Sequence, residues 1–430
     1  MKKILIKNAL ILTMDDGNVI QDGSILIAGD TITHVGPGLP PETAKADTVI
    51  DAKGGMVLPG LINAHTHIAM TLFRGFADDM TLQDWLFNSI FPAEDKLDDD
   101  AVYWASLLAC AEMIRGGTTM FADMYFFNRS TVRAALEAGI NANISRCVSG
   151  THQDYKARLA ESRELFREFD GAGNGSIRIE HSAHAVYTCS REAIHAVAEA
   201  AAEDGTGIHI HLSETMKENR DCYRQYGKSP TEIFEDCGVF ETRTNAAHCV
   251  YLSENDMDII KRHGVGISHN PVSNLKLASG VANIKEILEK GIFVGIGTDG
   301  VASNNSLDMF GDMKTAALLQ KGMRLDPTLI EAKTALEMAT IGGAKLLGRE
   351  RERGRIKEGY RADIIILDGQ SPNLYPVHHP VSSAVYSAGR GDVVTSIING
   401  NVVMENRELK TVDMERVCVG VKEAISRMGI

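Results

Sequence analysis

The stretch "LPGLINAHTHIAMTLFRG", residues 58–75, is an apolar run that ends in two histidines separated by one threonine. On a β-strand, side chains at i and i+2 point to the same side, so His65 and His67 at a strand's end would present two imidazoles to one ion. The pair by itself is equally compatible with two exposed loop histidines. The chain has 14 histidines in 430 residues, and a second His-x-His occurs at His209 and His211. The decision rests on what the rest of the chain places beside it.

Between about residue 58 and residue 350, β-rich runs alternate with helical stretches. The runs are "GMVLPGLINAH", "GTTMFADMY", "GINANISRCV", "SIRIEHSAHAV", "GIHIHLSE", "TNAAHCV", "GVGISHN" and "GIFVGIGTD". Eight is the number that closes a (β/α)8 barrel, the TIM-barrel form of the α/β class. Between them, "DDDAVYWASLLACAEMIRGG", "SREAIHAVAEAAAEDG", "SENDMDIIKRHG" and "NIKEILEKG" open on polar caps and close on glycine, as helices do. The flanks read differently. Residues 1–57 alternate with period two and turn on Gly, Asn and Asp. Residues 356–430 do the same before a terminal helix, with Asn399-Gly400 as a hairpin turn. Each flank is too small to bury a core, so the two are expected to pair into one composite β-sandwich beside a barrel spanning residues 58–355.

Composition narrows the function classes. The net charge is −13 and acidic and basic residues are interleaved, with no basic stripe. This argues mildly against a nucleic-acid or anionic-membrane partner and says nothing about small anionic ligands, which need only one or two local cations. The apolar N-terminus is broken by Lys7 and Asn8 and alternates like a strand, unlike a secretion signal. No window reaches the ~18 apolar residues that span a bilayer. Seven cysteines without a C-x-x-C pair suit a reducing compartment, so the expected location is cytoplasmic.

Polar residues recur where the predicted strands end. His211 ends "GIHIHLSE", His248 ends "TNAAHC", His184 follows "IRIEHSA" and Asp299 ends "VGIGTDG". Barrel strand ends converge on one face, which carries the active site. Any one of these residues could be a satisfied polar group; together they are hard to explain as packing.

These residues resemble the amidohydrolase superfamily, over nearly the whole chain. "PGLINAHTH", "HLSE", "AAHC" and "GTDG" match its mononuclear deaminase branch. Binuclear members place a bridging modified lysine at the end of strand four, where this chain has "RIEHSAHAVY" without a lysine. The resemblance implies one metal per subunit, held by His65, His67, His211 and Asp299. Three imidazoles and a carboxylate suit Zn²⁺, and Fe²⁺ would accept the same donors. His209 shares a face with His211 by parity. The family alignment makes His211 the ligand and leaves His209 packing in the layer below.

A metal lowers the pKa of bound water toward ~7. Asp299 can take the water's proton, Glu214 can protonate a ring nitrogen, and His248 can hold the attacking oxygen. That set performs deamination of an aminated heteroaromatic ring. The subgroup most similar deaminates 5′-methylthioadenosine and S-adenosylhomocysteine. The resemblance implies Glu94 for the ribose hydroxyls, Trp85 for the 5′ substituent and His184 for the purine, with Glu214 and Asp299 also touching the ring. Arg146 and Arg158 would receive the homocysteine carboxylate, a bidentate use that suits guanidinium. The family also implies a homo-oligomer.

Two other readings stand beside this one. The same site could act on guanine, a pterin or an aminated or chlorinated s-triazine. A non-catalytic barrel assembling through its surface is the third, but such relatives have lost metal ligands that are intact here. The chain has no phosphate loop, no Gly-x-Ser-x-Gly elbow and no nucleobase-deaminase signature of the His-x-Glu, Pro-Cys-x-x-Cys type.

Overall fold

The computed structural model describes residues 1–16, 19–40, 46–150 and 154–430. Five strands precede Gly60: β1 (Lys3–Leu12), β2 (Val19–Ala28), β3 (Thr31–Pro37), β4 (Thr48–Asp51) and β5 (Met56–Pro59). The barrel then begins with β6 (Leu61–His67), β7 (Thr118–Tyr125), β8 (Asn141–Val148) and β9 (Ile177–Ala183). It continues through β10 (Ile208–Leu212), β11 (Thr244–His248) and β12 (Gly266–His269). From β7 onward each of these strands pairs in parallel with the one before it.

The eighth barrel strand is broken in two. Its first piece, β13 (Val294–Ile296), pairs with β12, and its second, β14 (Asp299–Gly300), pairs with β6. The ring therefore closes through two short segments with Gly297 between them. A Cβ on Gly297 would lie 2.4 Å from Asn270 Oδ1 and 2.9 Å from His65 Cβ, so only glycine lets the chain pass so close to β6 here.

The run "GMVLPGLINAH" is not one strand, as the sequence suggested. Met56–Pro59 pairs with β1 in the small sheet, and the barrel starts at Leu61. The reason is Gly60, where a Cβ would sit 2.0 Å from Thr119 Oγ1; its absence lets the chain cross between sheets against β7. The small sheet also takes β15 (Ile364–Leu367), β16 (Val393–Ile398), β17 (Asn401–Glu405) and β18 (Glu408–Leu409). Its order is β18-β17-β16-β15-β5-β1-β2-β3, with β4 on β1, so the two chain ends join at β5. Alternating residues such as Ile4, Ile6, Ile25, Ile27, Ile364 and Ile397 fill a separate apolar core. Asn399 and Gly400 both have positive φ, 48° and 70°, as the expected two-residue hairpin turn requires.

The helices begin and end where their caps predict. Asp98 accepts from Ala101 N at the start of Asp99–Arg115, and Ser190 from Ala193 N at the start of Arg191–Asp204. Glu254–His263 opens with a Ser253/Asp256 capping box and stops at Gly264 with φ 66°. Among the described residues, no helix is long and apolar enough to cross a membrane.

Candidate active site

The ends of β6, β10, β11 and β14 meet at one point. His65 Nε2 and His67 Nε2 lie 3.2 and 3.3 Å from Asp299 Oδ1, and His211 Nε2 lies 3.2 Å from His67 Nε2. The ligand atoms of His65, His67 and His211 lie within 4.8 Å of one another, as do those of His65, His248 and Asp299. His65 Nε2 is buried with no hydrogen-bond partner among the described residues, a lone pair that a cation would satisfy. The other nitrogen of each imidazole is taken: His67 Nδ1 by the Met124 carbonyl, His211 Nδ1 by the His184 carbonyl at 3.1 Å, and His65 Nδ1 by His209 Nε2 at 2.8 Å. Such contacts fix ring orientation and leave Nε2 free for a metal. The donor set is that of one zinc ion per subunit, three nitrogens and a carboxylate in reach of each other.

Electrostatics divide the cluster. Burial disfavours imidazolium at His65, His67 and His211. At His67 the Asp299 carboxylate outweighs burial and carries the pKa up to about 9. At His65 burial wins, and the pKa falls to about 4. Asp299, although buried, is held well below the usual carboxylate range by the His65 and His67 imidazoles that face it. Its Oδ2 accepts from Ser273 Oγ at 2.6 Å and Ser303 Oγ at 3.0 Å, so Oδ1 is left to face the histidines.

Glu214 reaches the site by a sharp turn after β10. Ser213 has φ 49°, and the Glu218 carboxylate accepts the backbone N–H of Glu214 at 2.8 Å and of Ser213 at 3.3 Å. Ser279 Oγ donates to Glu214 Oε1 at 3.0 Å, and burial raises the Glu214 pKa. His248 Nε2 is 3.9 Å from Glu214 Oε2. The amide nitrogens of Asn274 and Asn270 donate to His248 Nδ1 at 3.0 and 3.3 Å, which puts the ring proton on Nε2, facing the site. Ser213, His248 and Asp299 all have positive φ (49°, 75° and 61°), a backbone conformation that turns the chain at each of these strand ends.

A cavity opens above this cluster. Trp85, Glu94, His184, His211, Glu214, His248 and Asp299 line it. Trp85 lies in the short helix Leu82–Trp85 and contributes a buried apolar wall. Glu94 Oε1 accepts from the Tyr125 hydroxyl at 2.6 Å; burial, against that hydrogen bond, pushes its pKa up to about 7. Burial takes His184 down to about 3, so it stays neutral. Arg146 and Arg158 do not line this cavity. They line an outer one that shares Phe91, Glu94, Phe126 and Ser149 with it.

Several residues escaped the sequence reading. His209 is not mere packing, since it orients His65. Asn270, Ser273 and Asn274, in "HNPVSN", hold His248 and Asp299. The clustering of four polar residues around one proline at a strand end was the available signal. Tyr125, Ser279, Ser303 and Glu218 left no such trace.

A barrel with three histidines and an aspartate at its C-terminal mouth defines a metal-dependent hydrolase. The amidohydrolase family model matches residues 56–403, and the chain belongs to that family. It is 47% identical over 430 residues to a 5-methylthioadenosine/S-adenosylhomocysteine deaminase of Acetivibrio thermocellus, covering 99% of both chains. It is 45% identical over 431 residues to a 5′-deoxyadenosine deaminase of Methanosarcina mazei, covering 100% of this chain and 99% of the relative. Among solved structures, a zinc-bound adenosine deaminase from Xanthomonas campestris superposes with a TM-score of 0.94 at 32% identity, covering 100% of this chain and 99% of that one. A zinc-bound atrazine chlorohydrolase from Arthrobacter aurescens follows at 0.91 and 27%, covering 98% and 100%.

Proposed function

We propose that this enzyme hydrolytically deaminates 5′-modified adenosines, converting S-adenosylhomocysteine to S-inosylhomocysteine and 5′-methylthioadenosine to 5′-methylthioinosine, with release of ammonia. The observation that carries the reading is a buried, proton-donating carboxyl, Glu214, facing the same cavity as the His65, His67, His211 and Asp299 cluster. The full-length relatives named above support the substrate class.

His65, His67, His211 and Asp299 would hold zinc, which when bound would acidify a water toward ~7 and make it nucleophilic at neutral pH. Asp299, kept ionised by its histidine neighbours, accepts the proton of the attacking water through Oδ1 while Ser273 and Ser303 steady Oδ2. His248 donates from Nε2 to the attacking oxygen. Glu214, its pKa raised by burial, delivers a proton to the ring nitrogen next to the attacked carbon. This removes negative charge from the tetrahedral species. The proton gathered by Asp299 then passes to the amino group, which leaves as ammonia, and the proton of the new hydroxyl returns to Glu214 as the oxo group forms. Water and the aminopurine are thus converted to oxopurine and ammonia with no other reactant.

Substrate placement follows from the lining. Two vicinal ribose hydroxyls can donate to the Glu94 carboxylate, Trp85 packs on the 5′ substituent, and neutral His184 meets the purine edge. Arg146 and Arg158 stand farther out, where a carboxylate at the end of a longer 5′ tail would arrive.

The test is an ultraviolet scan of zinc-loaded protein with each nucleoside, beside a chelator-stripped control. An adenine spectrum that becomes a hypoxanthine spectrum only with metal present is expected. No change on protein holding one zinc per chain would overturn the assignment.

A further inference from the structure

The outer cavity contains an ion pair that the deamination chemistry does not use. Arg146 Nε donates to Glu161 Oε2 at 2.7 Å, its Nη1 donates to the Cys147 carbonyl at 2.6 Å, and its guanidinium lies 5.3 Å from the Phe126 ring centre. Phe126 also lines the inner cavity, so the pair sits at the passage between the two. The partners are unequally held. The Arg146 side chain is 13% exposed and pinned by backbone and ring; the Glu161 side chain is 59% exposed. Arg158, on the same helix as Glu161 (Asp154–Phe169), donates from Nη1 to Ser149 Oγ at 2.8 Å. The Nη2 groups of Arg146 and Arg158 make no hydrogen bond among the described residues.

We propose that Glu161 is a specificity-determining residue that receives the α-ammonium of an amino-acid tail on the 5′ sulfur, by exchanging Arg146 for it. This rests on the deaminase reading above and deepens it. A tail carrying only a carboxylate would set a second anion on Arg146 beside Glu161, with no cation of its own to offset it. The outer cavity carries five carboxylates against three guanidinium groups, so an added lone anion is repelled. A zwitterion brings no net charge. Its carboxylate takes the free fork of Arg146 and Arg158, and its ammonium takes Glu161 in the same step. Every charge keeps a partner. The exchange is easy because one side of the existing pair is exposed to water and screened. Arg146 and Glu161 are therefore a placeholder for the tail's own ammonium and carboxylate.

Three substrates and one variant test this. Zinc-loaded enzyme is assayed with S-adenosylhomocysteine, with its analogue in which hydrogen replaces the α-ammonium, and with 5′-methylthioadenosine. The unmodified enzyme is expected to favour the zwitterion over the carboxylate-only analogue by about tenfold or more in kcat/KM, the effect of one charge-assisted hydrogen bond. Glu161→Gln is expected to bring the two tails together, lowering the ratio of S-adenosylhomocysteine to 5′-methylthioadenosine. Equal turnover of both tails by the unmodified enzyme would overturn the proposal without any variant. A Glu161→Gln enzyme that improves on both tails alike would also overturn it, because Glu161 would then only compete for Arg146. Failure of the deaminase reading looks different: no turnover of any of the three, 5′-methylthioadenosine included.

Discussion

His65 Nδ1 and His209 Nε2 stand 2.8 Å apart, buried beneath the point where the metal-binding nitrogens converge. Burial first, then the neighbouring histidines, keep His209 well below the ordinary imidazole pKa, so it is neutral and can accept. His65 therefore carries its proton on Nδ1 and turns the Nε2 lone pair to the metal. His209→Ala is expected to weaken zinc binding by about 10- to 100-fold, the usual cost of removing an outer-shell partner. Competition against a chromophoric chelator measures this, and an unchanged affinity would mean that His65 is oriented by packing alone.

Gly297 is the hinge of the broken eighth strand. Gly297→Ala would drive a methyl group into Asn270 Oδ1 and His65 Cβ. The expected result is a loss of about 1–3 kcal/mol from overpacking, together with reduced zinc content, because His65 and the Asp299 segment are displaced. Thermal unfolding and metal analysis on the same preparation report the two effects. Full stability and full zinc would refute the close approach.

Glu214→Gln keeps size and hydrogen bonding but cannot deliver a proton. A fall in kcat of about 10²- to 10⁴-fold is expected, with zinc content unchanged because Glu214 is not among the four metal-binding groups. If kcat survives, the ring proton comes from elsewhere.

Burial raises the Glu94 carboxyl to about 7 despite the Tyr125 hydroxyl, so Glu94 takes up a proton as pH falls through neutrality. A neutral acid is a poorer acceptor for two ribose hydroxyls than a carboxylate. KM for adenosines is expected to rise about tenfold between pH ~8 and pH ~6, following the protonated fraction. Glu94→Gln should raise KM at all pH values and flatten that dependence. A KM that stays level in the unmodified enzyme would remove Glu94 from ribose binding.

Much of this molecule was legible from local pattern. Period-two runs, cap residues and glycine stops located the barrel strands and the helices between them. Their alternation set the parallel order, because each helix returns the chain to the same edge. The eight-strand count, the shared face of His65 and His67 and the placing of His211, His248 and Asp299 at strand ends all follow from this. The break in the eighth strand did not: "GIFVGIGTD" reads as one run, and only contact with His65 and Asn270 stops it at Gly297.

The sequence by itself determined which side chains share a face, since the alternation of a strand is a property of its own backbone. Only the tertiary structure decided their depth. His209 and His211 point the same way, yet His211 stands at the metal-binding mouth and His209 one layer below, against His65. Depth along the barrel depends on the stagger of β10 against β6, strands on different sides of the ring. The same holds for Arg146, which ends β8 but is claimed by Glu161 from a helix folded over it. Spacing along one chain carries parity; it cannot carry register between strands that meet only when the ring closes.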